Sequence, residues 1–152
     1  MQQDRSSIGS NANRPNPALK PFEFLIGNWR TTGTHPMMSG KRLAGRTCFD
    51  WHQGGAFLIM RSEVDEPSFP DGVAIIGSDG EGRYSMIYFD ERGVSRVMDM
   101  TAAEDAVTWR HDDPKFAQRL TIKKEGDRLV SKGLMSENGG PWTDDLSQFF
   151  ER

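Results

Sequence analysis

Residues 115–136 read KFAQRLTIKKEGDRLVSKGLMS, and the alternation of their side chains decides the fold. Phe116, Gln118, Leu120 and Ile122 fall on one face of an extended segment, and Glu125-Gly126-Asp127 supplies a tight turn. The chain then returns with Leu129, Ser131, Gly133 and Met135 on one face and Val130, Lys132 and Leu134 on the other. This is an antiparallel hairpin. Nothing after Gly27 shows a ten-residue helical pattern, so there are no helices to carry parallel crossovers.

The same texture extends outward in both directions. Strands are expected at residues 28–35, 43–52, 56–64, 72–79, 83–90, 94–100, 106–111, 115–123, 128–136 and 141–151. Turn signals separate them: Asp79-Gly80-Glu81-Gly82, Asp90-Glu91-Arg92-Gly93 and Asn138-Gly139-Gly140. About ten short antiparallel strands must hide their edges, and a meander that closes on itself removes them. The expected fold is therefore all-β, a closed up-and-down barrel, with a two-sheet sandwich as the competing architecture. A barrel this wide tends to enclose a cavity. Ahead of it, Phe22, Leu25 and Ile26 share a helical face that ends at Gly27, a short plug that must pack against something to persist.

With 152 residues the chain suits one domain. We expect residues 1–21, polar and rich in Ser, Asn and Pro, to form an extended or disordered arm, and residues 22–152 to form the barrel. Nineteen basic against 22 acidic side chains leave no electrostatic footprint for nucleic acid. No apolar run is long enough for a membrane-spanning helix, and the first residues lack a secretory pattern, so a cytoplasmic location is expected. The single cysteine, Cys48, excludes an internal disulfide.

Collecting the inward faces yields apolar walls with isolated polar groups, the composition of a small-molecule pocket. The expected ligand-binding residues are Trp51, Met60, Tyr88, Met98 and Trp109 as wall, with His35, Arg96 and Gln118 orienting the guest. Thr47, His111 and Ser131 share those faces, and Met86, Met100 and Met135 add adaptable thioethers that could equally be simple core. An inward Arg96 requires a carboxylate or a ligand anion to answer it, unless it sits at the rim and faces water.

Gly27-Asn28-Trp29, placed after a short plug at the start of the first strand, resembles the Gly-x-Trp signature of lipocalins and related calycin barrels. With Gly54-Gly55-Ala56-Phe57-Leu58, Ile76-Gly77-Ser78-Asp79 and Gly139-Gly140-Pro141-Trp142, the pattern over residues 22–152 is similar to a bacterial lipocalin-like family of unknown function. The resemblance implies architectural roles for Gly27, Trp29 and Arg152, the last lying across the tryptophan ring at the closed end. More distantly the chain resembles fatty-acid-binding barrels and nitrobindin-type haem barrels. The latter ligate iron through a late histidine, whereas the histidines here are His35, His52 and His111.

Catalytic signatures are weak. Cys48, Asp50 and His52 share a strand face, but strand residues four apart are about 13 Å from one another, beyond a direct hydrogen bond. Acidic pairs such as Asp112-Asp113 and Asp144-Asp145 read as loop charge, with Asp144, if inward, as the conceivable partner of Arg96. No histidine spacing signals a metal and no cofactor is expected. The reading is a barrel that binds a small apolar or amphipathic molecule. Its alternatives are an enzyme using His111 or Asp144, a haem protein, or a filled barrel that dimerises through a face bearing Phe57, Ile59 and Phe89.

Overall fold

The computed structural model describes residues 14–79 and 81–152; the arm's first thirteen residues and Gly80 of one expected turn lie outside them. The strands are β1 (Gly27–Thr34), β2 (Leu43–His52), β3 (Phe57–Val64), β4 (Gly72–Ser78), β5 (Tyr84–Asp90), β6 (Ser95–Ala103), β7 (Ala106–His111), β8 (Phe116–Glu125), β9 (Arg128–Glu137), β10 (Thr143–Asp144) and β11 (Ser147–Glu151). Each of β1 to β9 pairs antiparallel with the next, and β11 pairs with both β9 and β1. The sheet is a closed ten-strand barrel whose tenth strand is split into β10 and β11. Closure rules out the sandwich and removes the free edges.

The split is a bulge. Asp144 pairs with Leu134 and Gln148 with Ser131, so residues 145, 146 and 147 oppose only residues 132 and 133. One extra residue turns the chain, and Asp145 points inward where unbroken alternation would have placed Asp144. Asp144 is exposed, so the condition for its pairing with Arg96, an inward side chain, is not met. The neighbours make room: a Cβ on Gly133 would stand 2.5 Å from the Leu146 carbonyl oxygen, and one on Gly33 would stand 2.7 Å from that of Ser147. Only glycine lets the bulge lie this close on both sides.

One end of the barrel is plugged. Residues Pro17–Leu25 form a 3-10 helix, and its three-residue turn puts Leu19, Phe22 and Leu25 on one face, all fully buried. The expected helical face of Phe22, Leu25 and Ile26 is thus corrected: Ile26 is the extended residue that ends the helix. Proline at the first helical position and the Asn16 side chain, which accepts from the Ala18 N–H at 3.0 Å, start it. The Tyr84 hydroxyl donates to the Ala18 carbonyl at 2.7 Å, and its ring meets Phe22 edge-on. The Trp29 indole N–H donates to the Leu25 carbonyl at 2.7 Å, and the Arg152 guanidinium lies 4.1 Å from the Trp29 ring centre. Arg152 also donates to the Ile26 carbonyl, so the last residue ties down the start of the first strand. Gly27, at φ +145°, lies so close beneath that guanidinium that a side chain there would displace it.

Between Trp29 and Gly33, the Thr31 hydroxyl is buried with no hydrogen-bond partner among the described residues. Thr31→Val keeps the shape and removes the unmet polar group, so it should raise stability by about 1 kcal/mol in a urea titration. On the outer surface, Ile59, Ile75, Ile87 and Val97 form a cross-strand row over β3 to β6, with Val73 and Phe89 paired beside it. Phe89 and Val97 are the most open of these.

Candidate functional site

Opposite the plug, the barrel opens into a cavity of about 660 Å³. Its depth is apolar because the inward positions of the central strands carry Phe49 from β2, Met60 from β3, Met86 from β5, Met98 from β6, Trp109 from β7, and Leu120 and Ile122 from β8. Phe150 closes the last strand's side. A 3-10 turn, Pro36–Met38, and a loop at 68–70 overhang the mouth, where the His35 and Phe69 rings meet edge-on at 5.5 Å.

The polar groups gather at the mouth as one connected chain. The His35 Nδ1 accepts from the Met37 backbone N–H at 3.1 Å, which places its proton on Nε2. Nε2 then donates to Asp145 Oδ1 at 3.0 Å. Asp145 also accepts from its neighbour's Leu146 N–H at 2.9 Å and, through Oδ2, from Gln118 Nε2 at 3.1 Å. The Gln118 Oε1 accepts from the Arg96 guanidinium at 2.7 Å, and Arg96 lies over the Phe116 ring at 4.9 Å. Asp145 is the residue that sequence reasoning missed. The available signal was glycine at two inward positions, Gly33 and Gly133, flanking the same point of the last strand.

A second group sits across the mouth. The Tyr88 hydroxyl donates to Asp90 at 2.9 Å, and Arg92 donates to the same carboxylate at 2.7 Å. Arg92 chiefly, with Tyr88 in support, holds the Asp90 carboxyl down at about 2. Burial first, and then the bond to Asp90, pushes the Tyr88 phenol up to about 12. A depressed carboxyl stabilises the fold above its unfolded value near ~3.9, and the gain is lost as pH falls towards 2. Asp90→Asn should therefore cost about 1 kcal/mol at pH 7, the pair being partly screened by solvent, and only a small fraction of that at pH 2, as read from urea midpoints.

Of the eight expected binding residues, His35, Met60, Tyr88, Arg96, Met98, Trp109 and Gln118 line the cavity. Trp51 does not: it faces inward but lies beyond Phe49, packed into the core at the plugged end. Thr47, Met86 and Met135 line the cavity, and Ser131 and Met100 are buried outside it. His111 bonds the Val97 carbonyl at 3.3 Å and is not part of the cavity wall.

Both ring nitrogens of His35 are engaged, His52 stacks on Phe57 and His111 lies outside, so no histidine offers a free nitrogen to haem iron in the cavity. Among the described residues no cluster of acids, histidines or cysteine could hold a metal. Cys48 sits on the outer face, half-exposed rather than packed inside, and its thiol donates to Asp50 at 3.1 Å. Partial burial and that bond push the thiol up, away from a nucleophilic thiolate. Among the described residues no helix is long and apolar enough to cross a membrane.

The closed meander, the plug and the Trp29–Arg152 lock define a barrel of calycin-like fold with an internal cavity. No family model and no curated protein matches the chain. Among solved structures, the crystal structure of Rv2717c from M. tuberculosis is similar, with a TM-score of 0.66 and 18% identity over 90% of this chain and 97% of that one. At that identity the likeness bears on fold alone.

Proposed function

We propose that the barrel holds one small molecule with an apolar body and a polar end. The observation that carries this is the cavity: about 660 Å³ inside a closed barrel, apolar in its depth and polar at its mouth. That size and arrangement suit a ligand pocket, where a few convergent polar groups orient a largely apolar guest. Met60, Met86, Met98 and Met135 give a wall that can repack around differing shapes. A barrel filled by its own side chains would have no such space. His35 is tied at both nitrogens, so it orients the mouth cluster and is not a free base there.

The test is a fluorescence titration with N-phenyl-1-naphthylamine, a neutral dye that brightens in apolar surroundings. The expected outcome is saturable uptake of one dye per chain, suppressed in Met98→Trp, whose larger side chain fills the cavity. A folded protein that leaves the dye dark would contradict the proposal.

A further inference from the structure

We infer that the polar end of the bound molecule is a carboxylate, received by Arg96. The inference rests on the cavity-binding reading above and adds the ligand's charge and chemical class.

The two charges of the mouth cluster, Arg96 and Asp145, are unequally served by hydrogen bonds. Arg96 projects inward from β6, half-buried, with one N–H given to Gln118 and its flat face on Phe116. Among the described residues no carboxylate lies within ion-pair distance of its guanidinium. Asp145 is the acid of the same cluster, yet Gln118 stands between the two, and Asp145 is already served by His35, Gln118 and the Leu146 N–H. The other charges around the mouth are committed or remote. Arg92 is bonded to Asp90, Arg119 lies over Trp142, Glu63 faces Arg46, and Glu137 is exposed at the rim. The carboxylate of Asp145 is filled by three donors, while the Arg96 guanidinium keeps open N–H groups and has no carboxylate of its own.

A guanidinium with open N–H groups in a partly desolvated site matches a carboxylate edge-on, through two parallel hydrogen bonds. The neighbouring Asp145 limits the charge of the guest: one negative charge can pair with Arg96, whereas a second would only add to the repulsion from Asp145 across a single amide. Position supports the same assignment. Arg96 and Met98 are successive inward residues of β6, so a head group on Arg96 lays the attached apolar body on Met98 and on into the cavity.

The experiment is displacement of bound N-phenyl-1-naphthylamine by three probes sharing a twelve-carbon chain: dodecanoate, dodecanol and dodecyl phosphate. Dodecanoate should displace the dye at a concentration about tenfold lower than dodecanol, with dodecyl phosphate weaker than dodecanoate. In Arg96→Gln, checked for native circular dichroism, the preference for dodecanoate over dodecanol should shrink to about one. Equal displacement by dodecanoate and dodecanol in the unaltered protein would overturn the carboxylate while leaving the cavity-binding reading intact. Stronger displacement by dodecyl phosphate would overturn the single-charge assignment. Failure of the dye to enter at all would overturn both readings.

Discussion

Trp29→Ala will cost the barrel about 4 kcal/mol, a loss at the upper end for a single core truncation. The indole is almost fully buried, so its removal leaves a cavity at the plugged end in addition to the lost transfer energy. It also frees the Leu25 carbonyl, which ends the 3-10 helix, and removes the platform on which Arg152 rests. For a chain of this length, thermal unfolding followed by circular dichroism should show a midpoint about 12 °C lower. Arg152→Met separates the contributions. It keeps the stem over the ring and loses only the cation–ring attraction and one hydrogen bond, an expected cost of about 1 kcal/mol. A Trp29→Ala midpoint within a few degrees of the original would mean that the plug does not depend on this lock.

Gly133→Ala is expected to cost about 2 kcal/mol and to weaken dye uptake at the same time. The added Cβ meets a backbone oxygen, that of Leu146, and backbone held between β10 and β11 cannot step aside as a flexible side chain would. The bulge must shift, and Asp145 with it, which loosens His35 and Gln118 at the mouth. Gly77→Ala is the control. A Cβ there meets only Phe57, at an ordinary 3.9 Å, so stability should hold or rise slightly. Equal effects from the two substitutions would show that the bulge is not what Gly133 accommodates.

These two sites also show what is legible in the sequence. The strands are readable because inward and outward residues alternate and turn residues punctuate them. Leu129, Ser131, Gly133 and Met135 do share the inner face of β9, and Asn138 and Gly139 both adopt positive φ in the turn that follows. Alternation fails wherever one residue is inserted. Counting back from Phe150 places Asp144 inside, and the bulge at residues 145–147 reverses that order without any change in composition. Alternation also reports a side chain's face and not its depth. Trp51 points inward as expected, yet the plug end of the barrel takes it out of reach of the cavity. The helix differs for a related reason: Leu19, Phe22 and Leu25 recur every third residue, the spacing of a tighter turn than the α-helical period of Phe22, Leu25 and Ile26 implies. The mouth cluster is partly legible. His35, Arg96 and Gln118 stand out as polar residues on apolar faces, but Asp145, which joins His35 to Gln118, depends on the bulge.

The central claim is that the apolar hollow is where a guest resides. Carbon-13 spectra of methionine methyl groups during titration with dodecanol address it most directly, because Met60, Met86 and Met98 line the hollow and Met100 is buried outside it. The account predicts that the Met60, Met86 and Met98 signals shift together to a common end point while Met100 stays in place. Interior methyl signals that remain fixed at dodecanol concentrations sufficient to displace the dye would contradict it.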